Sequence, residues 1–326
     1  MDDLDIRPRI NRWTKARRDL IFGPELAECL VQPHFVVSGS GIDQAIPGMP
    51  GINRQSKDVL IETISRDFSL GLSAHMIFPV MSESEKDNEG TKAADDGMPL
   101  QSVVRELKEK FGDEILLMTD ACLCTSTDHG HCGLLEGKNI VNDPSVETLV
   151  GISLSHARAG TDYVCLSDMM DGRVLSVRRA LEKEGFNSTG IMSYSVKYAS
   201  SFYGPFRDAA SSAPSFGDRS SHQMDVRSDY REAILEAKTD VEEGCDIAMV
   251  KPGLPYLDVL KEVSSSIERP VAVYNVSGEY SMVMGYANDS IQRKRVVLEI
   301  LGSFIRAGAD IIVSYHSREA IREGWV

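Results

Sequence analysis

Short apolar runs alternate with amphipathic segments along the chain, which has 326 residues. Eight of these runs have the length and composition of buried strands: 34–37, 74–80, 115–118, 163–166, 190–194, 247–250, 271–276 and 311–314. Between two of them, Val103, Val104, Leu107 and Phe111 recur at intervals of three or four residues up to Gly112, which is the pattern of a helix that ends at glycine. Repeated alternation of strand and helix predicts a parallel sheet covered by helices.

An internal repeat marks the ends of three predicted strands. In each copy a glycine is followed two residues later by an aspartate, then by four strand residues, and a polar residue stands seven positions after the glycine. The polar residues are Ser167, Lys251 and Tyr315. Glycine fits the left-handed position after a helix, and an apolar run without strict alternation is typical of a buried parallel strand. The repeat therefore places these side chains at the carboxyl ends of parallel strands.

The carboxyl ends of the strands form one face of a closed β/α barrel, and catalytic groups lie on that face. We therefore predict an α/β protein with a single (β/α)8 TIM barrel over residues 26–326, preceded by an extended N-terminal arm over residues 1–25. A doubly wound open sheet is the structural alternative, but no glycine-rich dinucleotide-binding loop follows the first predicted strand.

Charge and hydropathy exclude several classes of protein. A formal net charge of −14 argues against a nucleic-acid-binding surface, which needs clustered basic residues. No apolar run is long enough for a transmembrane helix, and Asp19, Glu25 and Glu28 interrupt the apolar stretch that a signal peptide needs. One basic cluster occurs, in the predicted arm: Arg7, Arg9, Arg12, Lys15, Arg17 and Arg18. This segment is either a solvated arm or an arm that docks on an acidic neighbouring subunit.

Three of the six cysteines fall within eleven residues, at Cys122, Cys124 and Cys132. Thiolates this close suit a soft metal such as zinc, which prefers four tetrahedral ligands. Three sulfurs would leave the fourth position for water or substrate, with His129 and His131 as further ligands or neighbours. A structural zinc loop and three free thiols are the alternatives. Six cysteines are too sparse for a disulfide scaffold, so we expect a reducing, cytoplasmic setting.

Two lysines end predicted strands. Lys251 follows the apolar run 247–250, and Lys197 follows 191–196. Burial disfavours an ammonium group and lowers its pKa, and a second ammonium in the same barrel mouth lowers it further. These conditions favour Schiff-base chemistry on a carbonyl substrate. Taken alone, Lys251 could equally be a lysine whose head group reaches solvent from a strand end.

Two long segments lack regular periodicity. Residues 82–97 are polar and predict a mobile loop, and residues 200–228 have the length of an active-site lid. Arg207 and Arg219 in the second segment could clamp a carboxylate. Ser277, Tyr315 and Asp120 are polar residues at predicted strand ends, like Ser167.

Five motifs resemble those of porphobilinogen synthases, also called 5-aminolevulinate dehydratases: DACLCTSTDHGHCG at 120–133, SDMMDGR at 167–173, SYSVKYASSFYGPFRDA at 193–209, MVKPG at 249–253 and VSGEY at 276–280. The resemblance extends from the basic arm to the last strand. It implies a lyase that condenses two 5-aminolevulinate molecules to porphobilinogen in tetrapyrrole synthesis.

The resemblance also implies roles for individual residues. Lys251 matches the lysine that binds the A-side substrate as a Schiff base, and Lys197 matches its P-side counterpart. The remaining substrate-binding residues are Ser277 and Tyr315 for a P-side carboxylate, Asp120 and Ser167 as P-side groups, and Arg207, Arg219 and Gln223 as lid residues near the A side.

Metal use and assembly follow from the same resemblance. Cys122, Cys124 and Cys132 are those of the zinc-dependent type, in which zinc polarises the substrate carbonyl or a bound water. Some members also hold a regulatory magnesium near a glutamate fifteen residues before the A-side lysine, which here is Glu236. Assembly of an octamer through N-terminal arms is usual in the family.

Five residues depart from the usual motifs: Leu166, Thr125, Ser126, Asn275 and His316. None of these differences removes a proposed chemical group. Two other functions remain to be weighed. A class I aldolase would use one Schiff-base lysine but needs neither the cysteines nor a second lysine, and an inactive oligomeric scaffold would use zinc as a structural ion.

Overall fold

The computed structural model describes residues 6–23, 25–287 and 289–326. All eight predicted strands are present, and they are neighbours in one parallel sheet. The first strand pairs with the last one, Leu30 with Ile312 and Val31 with Val313. Because this pairing closes the sheet, the predicted (β/α)8 barrel is confirmed and the doubly wound open sheet is excluded.

The strands are β1 (Leu30–Val37), β2 (Asp43–Ala45), β3 (Asn53–Ser56), β4 (Ala74–Val80), β5 (Leu116–Ala121), β6 (Leu134–Glu136), β7 (Asn139–Val141), β8 (Tyr163–Leu166), β9 (Gly190–Lys197), β10 (Ile247–Lys251), β11 (Val271–Asn275) and β12 (Ile311–Ser314). The barrel order is β1, β4, β5, β8, β9, β10, β11, β12. Outside it, β2 pairs with β3, which runs parallel to the end of β1, and β6 pairs with β7.

The helices are α1 (Lys15–Phe22), α2 (Lys57–Ser69), α3 (Pro99–Phe111), α4 (Asn142–Ala159), α5 (Arg173–Lys183), α6 (Gly204–Ala209), α7 (Tyr230–Glu242), α8 (Leu257–Ser266), α9 (Ser277–Tyr286), α10 (Ser290–Ala307) and α11 (Ser317–Arg322). The predicted helix at 103–111 is the body of α3. Its buried residues include Val103, Val104 and Leu107, which are the residues that set its periodicity.

The aspartates of the sequence repeat join neighbouring strands at the amino-terminal end of the barrel. Each carboxylate accepts a hydrogen bond of 2.8 Å from a backbone N–H of the adjacent strand: Asp162 from Leu117, Asp246 from Ile191 and Asp310 from Val271. The repeat glycines have positive φ angles, +97° at Gly160 and +102° at Gly244, as the helix ends require. The repeat therefore fixes the amino-terminal end of each strand. Because four strand residues follow the aspartate in every copy, it also places the polar residue of each copy at the opposite, carboxyl-terminal face of the barrel.

The described part of the predicted arm packs on the barrel of its own chain. Arg17 in α1 donates to the backbone carbonyl of Asp162 at 3.1 Å and to its carboxylate at 3.3 Å. The Asn11 amide donates to the Asp246 carbonyl at 2.8 Å, and Ile10 belongs to the barrel core. Residues 10–22 thus close the base of the barrel, while residues 1–5 and 24 of the predicted arm lie outside the described residues.

The polar segment 82–97 contains a 3-10 turn at Thr91–Ala94 but no α-helix or strand, and its turns are held by hydrogen bonds; its mobility stays a prediction. The Asp87 carboxylate accepts from the backbone N–H of Glu89 at 2.9 Å and of Thr91 at 3.1 Å. Asp87 also forms a β-bridge with Thr127, so the loop lies against the segment that carries the three clustered cysteines. Within the described ranges, no helix combines the length and apolar character needed to cross a membrane.

Candidate active site

Two buried lysines lie side by side at the mouth of the barrel. Lys197 is the last residue of β9 and Lys251 the last residue of β10, and the two are partners in the strand register. Each is 5% exposed. The Lys197 ammonium donates a hydrogen bond to the backbone carbonyl of Ser167. The sequence prediction that both side chains enter one mouth matches this placement.

Four aromatic rings surround the Lys251 amine. Its Nζ lies 4.2 Å from the ring centroid of Tyr274, 4.9 Å from Tyr194, 5.0 Å from Phe206 and 5.3 Å from Tyr203. Burial, reinforced by the positive charge of Lys197, lowers the pKa of Lys251 to about 7. Near neutral pH a substantial fraction of Lys251 is therefore the neutral, nucleophilic amine.

Asp120 supplies a carboxyl group next to the lysines. It lies in β5 and is almost fully buried. Burial raises its pKa to about 6, while a hydrogen bond from the Ser167 side chain and the charges of Lys197 and Lys251 oppose that rise. Its Oδ1 has no hydrogen-bond partner among the described residues. A carboxyl group with a pKa in this range can exchange a proton with bound substrate near neutral pH.

Tyr315 and Ser277 follow the next two strands of the barrel. The Tyr315 hydroxyl is 3.1 Å from the Tyr274 hydroxyl, which connects it to the aromatic residues around Lys251. The Ser277 hydroxyl accepts a hydrogen bond of 2.9 Å from the backbone N–H of Phe206 in α6. Ser277 thus contacts the segment predicted as a lid, and both hydroxyls are buried beside the mouth.

The three clustered cysteines form one buried group. The Sγ atoms of Cys122, Cys124 and Cys132 all lie within 4.8 Å of one another, and those of Cys122 and Cys124 are 3.3 Å apart. Hydrogen bonds from the other two thiols lower the pKa of Cys132 well below its ordinary value. Three soft sulfur donors that converge in a buried position suit zinc.

The two histidines of this segment are neighbours of the cysteines. The His129 Nδ1 accepts a hydrogen bond of 3.1 Å from the backbone N–H of His131. The His131 ring packs on Phe216, with ring centroids 4.7 Å apart. Neither residue belongs to the group of converging ligand atoms found among the described residues, so the geometry favours contacts around the sulfur site over direct ligation.

The predicted lid packs directly on the cysteine segment. The Arg219 guanidinium donates to the Gly130 carbonyl at 3.0 Å and to the Ser212 carbonyl at 2.6 Å. Gly130 has a φ of +69°, and a Cβ there would lie 2.4 Å from the Ala213 carbonyl oxygen. Arg219 therefore connects the lid to the cysteine loop. This contact was not predicted from the sequence.

Arg207 and Gln223 lie at the two ends of the lid. Arg207, in α6, is partly buried, and burial together with the charge of Arg219 lowers its pKa. The Gln223 side chain is buried, and neither its amide nitrogen nor its oxygen has a hydrogen-bond partner in the described part of the chain. An unpaired buried amide is costly, so Gln223 is available to bind a polar ligand group.

Glu236 lies apart from the lysines, on α7. It lines a cavity of about 600 Å³ together with Asp171, Glu232 and Gln223. Burial and the charge of Asp240 raise the pKa of Glu236 to about 7. The cavity connects this helix face with the end of the lid through Gln223, but no group of three converging ligand atoms occurs there among the described residues.

A second group of potential metal ligands is already saturated by hydrogen bonds. His75 donates from Nε2 to the Leu72 carbonyl at 3.1 Å, and His34 donates from Nε2 to Nδ1 of His75 at 3.0 Å. Asp67 accepts from Arg318 at 2.9 Å. Because the Arg318 charge opposes a cation, we assign no metal to these residues.

The four aromatic rings around Lys251 were not predicted from the sequence. Tyr194 and Tyr274 lie within the predicted strands 190–194 and 271–276, so a tyrosine in each run was the available signal. Tyr203 and Phe206 lie in the lid segment, where no periodicity indicates which side chains turn inward.

Comparison with known proteins adds independent information. The family model for "Delta-aminolevulinic acid dehydratase" matches residues 5–323. The Delta-aminolevulinic acid dehydratase of Bacillus subtilis is 45% identical over 318 residues, with 97% of each chain covered. That of Methanothermobacter thermautotrophicus is 47% identical over 294 residues, covering 90% of this chain and 89% of the relative.

A solved structure resembles this one over nearly its whole length. It is the Toxoplasma gondii delta-aminolevulinic acid dehydratase (porphobilinogen synthase) in complex with the reaction product porphobilinogen. It superposes with a TM-score of 0.88 at 41% sequence identity, covering 98% of this chain and 92% of that one.

Proposed function

Since the chain belongs to the delta-aminolevulinic acid dehydratase (porphobilinogen synthase) family, we propose that Lys251 and Lys197 form the two imines of its reaction. The function is that of this family, a hydro-lyase of tetrapyrrole biosynthesis that condenses two molecules of 5-aminolevulinate to porphobilinogen. The class I aldolase and inactive-scaffold alternatives are set aside, because the family match spans the chain and both lysines are in place.

The observation that carries this proposal is the pair of buried lysines at adjacent strand ends. The neutral Lys251 amine attacks the ketone carbon of one substrate, the C–N bond forms, and the carbonyl oxygen leaves as water. With a pKa of about 7, about half of Lys251 is neutral at pH 7. Lys251 would hold the A-side substrate in this way, and Lys197 the P-side substrate.

The neighbouring polar groups have roles that fit their surroundings. Asp120, with Ser167 beside it, would exchange protons with the P-side substrate, because its pKa of about 6 allows both protonation states. The hydroxyls of Ser277 and Tyr315 would bind the P-side carboxylate.

The lid residues would serve the A side. Arg207 and Arg219 would bind the A-side carboxylate, and Gln223 would offer its unpaired amide to a polar substrate group. A closed lid excludes water, and exclusion of water favours an imine over its hydrolysis.

Zinc is the metal that we assign to the cysteines. Cys122, Cys124 and Cys132 would hold it, since their sulfurs converge and are buried. When bound, the ion would supply Lewis-acid chemistry to an A-side carbonyl or water. Magnesium at Glu236 is a second proposal. A hard cation prefers carboxylate oxygens, and the acidic lining of the cavity at Glu236 offers them.

Assembly and location are also proposals. We propose a homo-octamer formed through the N-terminal arms, supported by the exposed aromatic residues Trp13 and Phe22, which are 51% and 66% exposed. Burial of such side chains against another copy would stabilise an assembly. The six free cysteines suit a reducing cytoplasmic location.

The test is reduction with borohydride in the presence of 5-aminolevulinate, followed by peptide mass spectrometry. We expect adducts at Lys251 and Lys197 and none at the exposed Lys238 of α7. Lys238 controls for unspecific alkylation of surface amines. Absence of an adduct at Lys251 would refute its assignment. If the yields of adduct at Lys251 and Lys197 equalled the yield at Lys238, neither of the two buried lysines would be more reactive than a surface amine.

A further inference from the structure

A buried glutamate links the strand that ends in Lys251 to the strand that precedes Ser277. Glu279 lies in the first turn of α9 and is almost completely buried. Its Oε1 accepts hydrogen bonds from the backbone N–H groups of Gly253 at 3.0 Å and of Leu254 at 2.9 Å. These two donors stand directly after the Lys251–Pro252 pair.

The second carboxylate oxygen of Glu279 binds the adjacent strand end. Its Oε2 accepts from the Asn275 side chain at 2.6 Å and from the Val276 backbone N–H at 3.1 Å. Asn275 is in turn held by the Ser314 hydroxyl, which donates to its Oδ1 at 2.9 Å. One side chain therefore joins the carboxyl ends of β10 and β11, and Asn275 extends the connection to β12.

These contacts exceed what the start of a helix requires. A glutamate in the first turn that satisfies its own helix needs only the contact with Val276. The other oxygen of Glu279 leaves the helix and takes two donors from the loop after Lys251. A carboxylate accepts on both oxygens, whereas the neutral amide of glutamine accepts on one and donates from the other. The four donors therefore favour the ionised carboxylate and oppose the effect of burial, which raises the pKa of Glu279 to about 7.

The Lys251 backbone is held from the other side by the lid segment and by the residue after β9. Its carbonyl accepts a hydrogen bond of 3.1 Å from the Tyr203 hydroxyl and one of 3.1 Å from the Tyr198 backbone N–H. Glu279 supplies the corresponding restraint on the residues that follow. The position of the Lys251 amine among its four rings thus depends on a backbone fixed at both sides.

We propose that Glu279 is a positioning residue for Lys251, which holds the β10 end so that the amine meets the substrate carbonyl. This inference rests on the proposed role of Lys251 in imine formation. Glu279 does not contact the reacting atoms, and it acts through the loop at Gly253 and Leu254. A displacement of about 1 Å in a reacting group can reduce a rate by about a hundredfold, so the effect of losing this restraint is measurable.

The test compares Glu279→Gln with the unaltered zinc-loaded enzyme. The amide has the size of the carboxylate but only one acceptor oxygen, so in either orientation its N–H₂ group faces one of the two donor pairs and the bridge between the two strand ends is broken. We expect kcat to fall about ten- to a hundredfold and KM for 5-aminolevulinate to change less than about threefold. In borohydride trapping, the rate at Lys251 should fall by the same factor as kcat, while the rate at Lys197 should stay within about twofold.

Lys197 is an internal control, because the same sample reports on both lysines. Asp310→Asn is the matched control variant: it also replaces a carboxylate that accepts a backbone N–H of β11, but at the opposite end of the barrel. It should leave both trapping rates unchanged. Equal slowing at both lysines in Glu279→Gln, or no slowing at Lys251, would overturn the inference.

Failure of the proposed function has a different signature. If the unaltered enzyme gives no Lys251 adduct, the role of Lys251 is wrong, whatever Glu279→Gln does. Should Glu279→Gln not fold, Asn275→Ala removes one of the four donors and keeps the carboxylate. It should slow trapping at Lys251 selectively but by a smaller factor, and an unchanged Lys251 rate in that variant would also refute the inference.

Discussion

Lys197 and Lys251 face each other as register partners at the last residues of two adjacent parallel strands. One ammonium therefore acts on the other at close range, inside a site from which solvent is largely excluded. The Lys197 charge is the second cause, after burial, of the lowered pKa of Lys251. The parallel pairing of β9 with β10 creates this relationship, and it makes the reactivity of one lysine depend on the other.

Replacement of Lys197 by Met should raise the pKa of Lys251 above its present value of about 7. Loss of a neighbouring positive charge favours the ammonium form, so less neutral amine is present at pH 7 and imine formation at Lys251 slows. The rate should recover as the pH rises through the new pKa. The measurement is the pH dependence of borohydride trapping at Lys251, and Lys197→Arg, which keeps the charge, is the control. An unchanged profile in Lys197→Met would contradict the coupling.

Replacement of Lys251 by Ala should lower porphobilinogen formation by more than about a thousandfold, because the covalent intermediate on this side cannot form. The fold should persist, since the aromatic rings around the amine remain. A colorimetric assay of porphobilinogen measures the loss, and circular dichroism monitors the fold. Lys238→Ala on the exposed face of α7 is the control. Activity within tenfold of the unaltered enzyme would disprove the assigned role.

Removal of zinc should abolish activity with little change in the melting temperature, because the three cysteines form a cluster separate from the large hydrophobic core clusters. Cys124→Ala should weaken zinc binding and activity together, since only two sulfurs would remain. Zinc content and activity are measured on the same samples. Cys245→Ala is the control, because Cys245 is buried in a separate core cluster. A large drop in melting temperature on chelation would instead indicate a structural ion.

Two glycines allow a sharp test of the contact between lid and cysteine loop. Gly130 and Gly137 both have positive φ angles, +69° and +64°, but a Cβ at Gly130 meets the Ala213 carbonyl oxygen at 2.4 Å, and one at Gly137 meets nothing within 4 Å. Both Ala variants should lose about 1 kcal/mol through backbone strain. Gly130→Ala should in addition displace the lid and raise KM for 5-aminolevulinate. Equal KM values in the two variants would show that lid position does not affect binding.

The aspartates of the repeat should differ in their contribution to stability. Asp246 accepts from the Ile191 backbone N–H at 2.8 Å and from Arg178 at 2.6 Å. Asp246→Asn removes the nearer of the two carboxylates paired with buried Arg178 and leaves only Glu182, at 3.7 Å, so it should cost about 3 kcal/mol. Asp310 binds the Val271 N–H, and its replacement by Asn should cost about 1 kcal/mol. Urea unfolding measures both free energies, and similar losses would contradict the role of the Arg178 pair.

Much of this protein is determined by short-range features of the sequence. Apolar runs of strand length gave all eight barrel strands, because burial on both sides of a parallel strand requires an unbroken apolar run. The glycine–aspartate repeat placed Ser167, Lys251 and Tyr315 at one face, because the helix end, the strand length and the strand direction are all local properties. The cysteine cluster could also be predicted from the sequence, since residues that are close in sequence are near one another in any fold.

Only the tertiary structure decided which distant groups meet. The pairing of β1 with β12 closes the barrel. Two lysines at the ends of adjacent parallel strands would also occur in an open sheet, so their positions in the sequence did not determine that the sheet closes. Arg219 contacts Gly130, 89 positions away, and Glu279 binds Gly253 in the loop after Lys251, 26 positions away. Residue type and spacing do not encode such contacts, because they depend on how loops between strands pack over the barrel. The sequence therefore determined that Lys251 ends a buried strand, while the packing of rings, lid and Glu279 around it determined its environment.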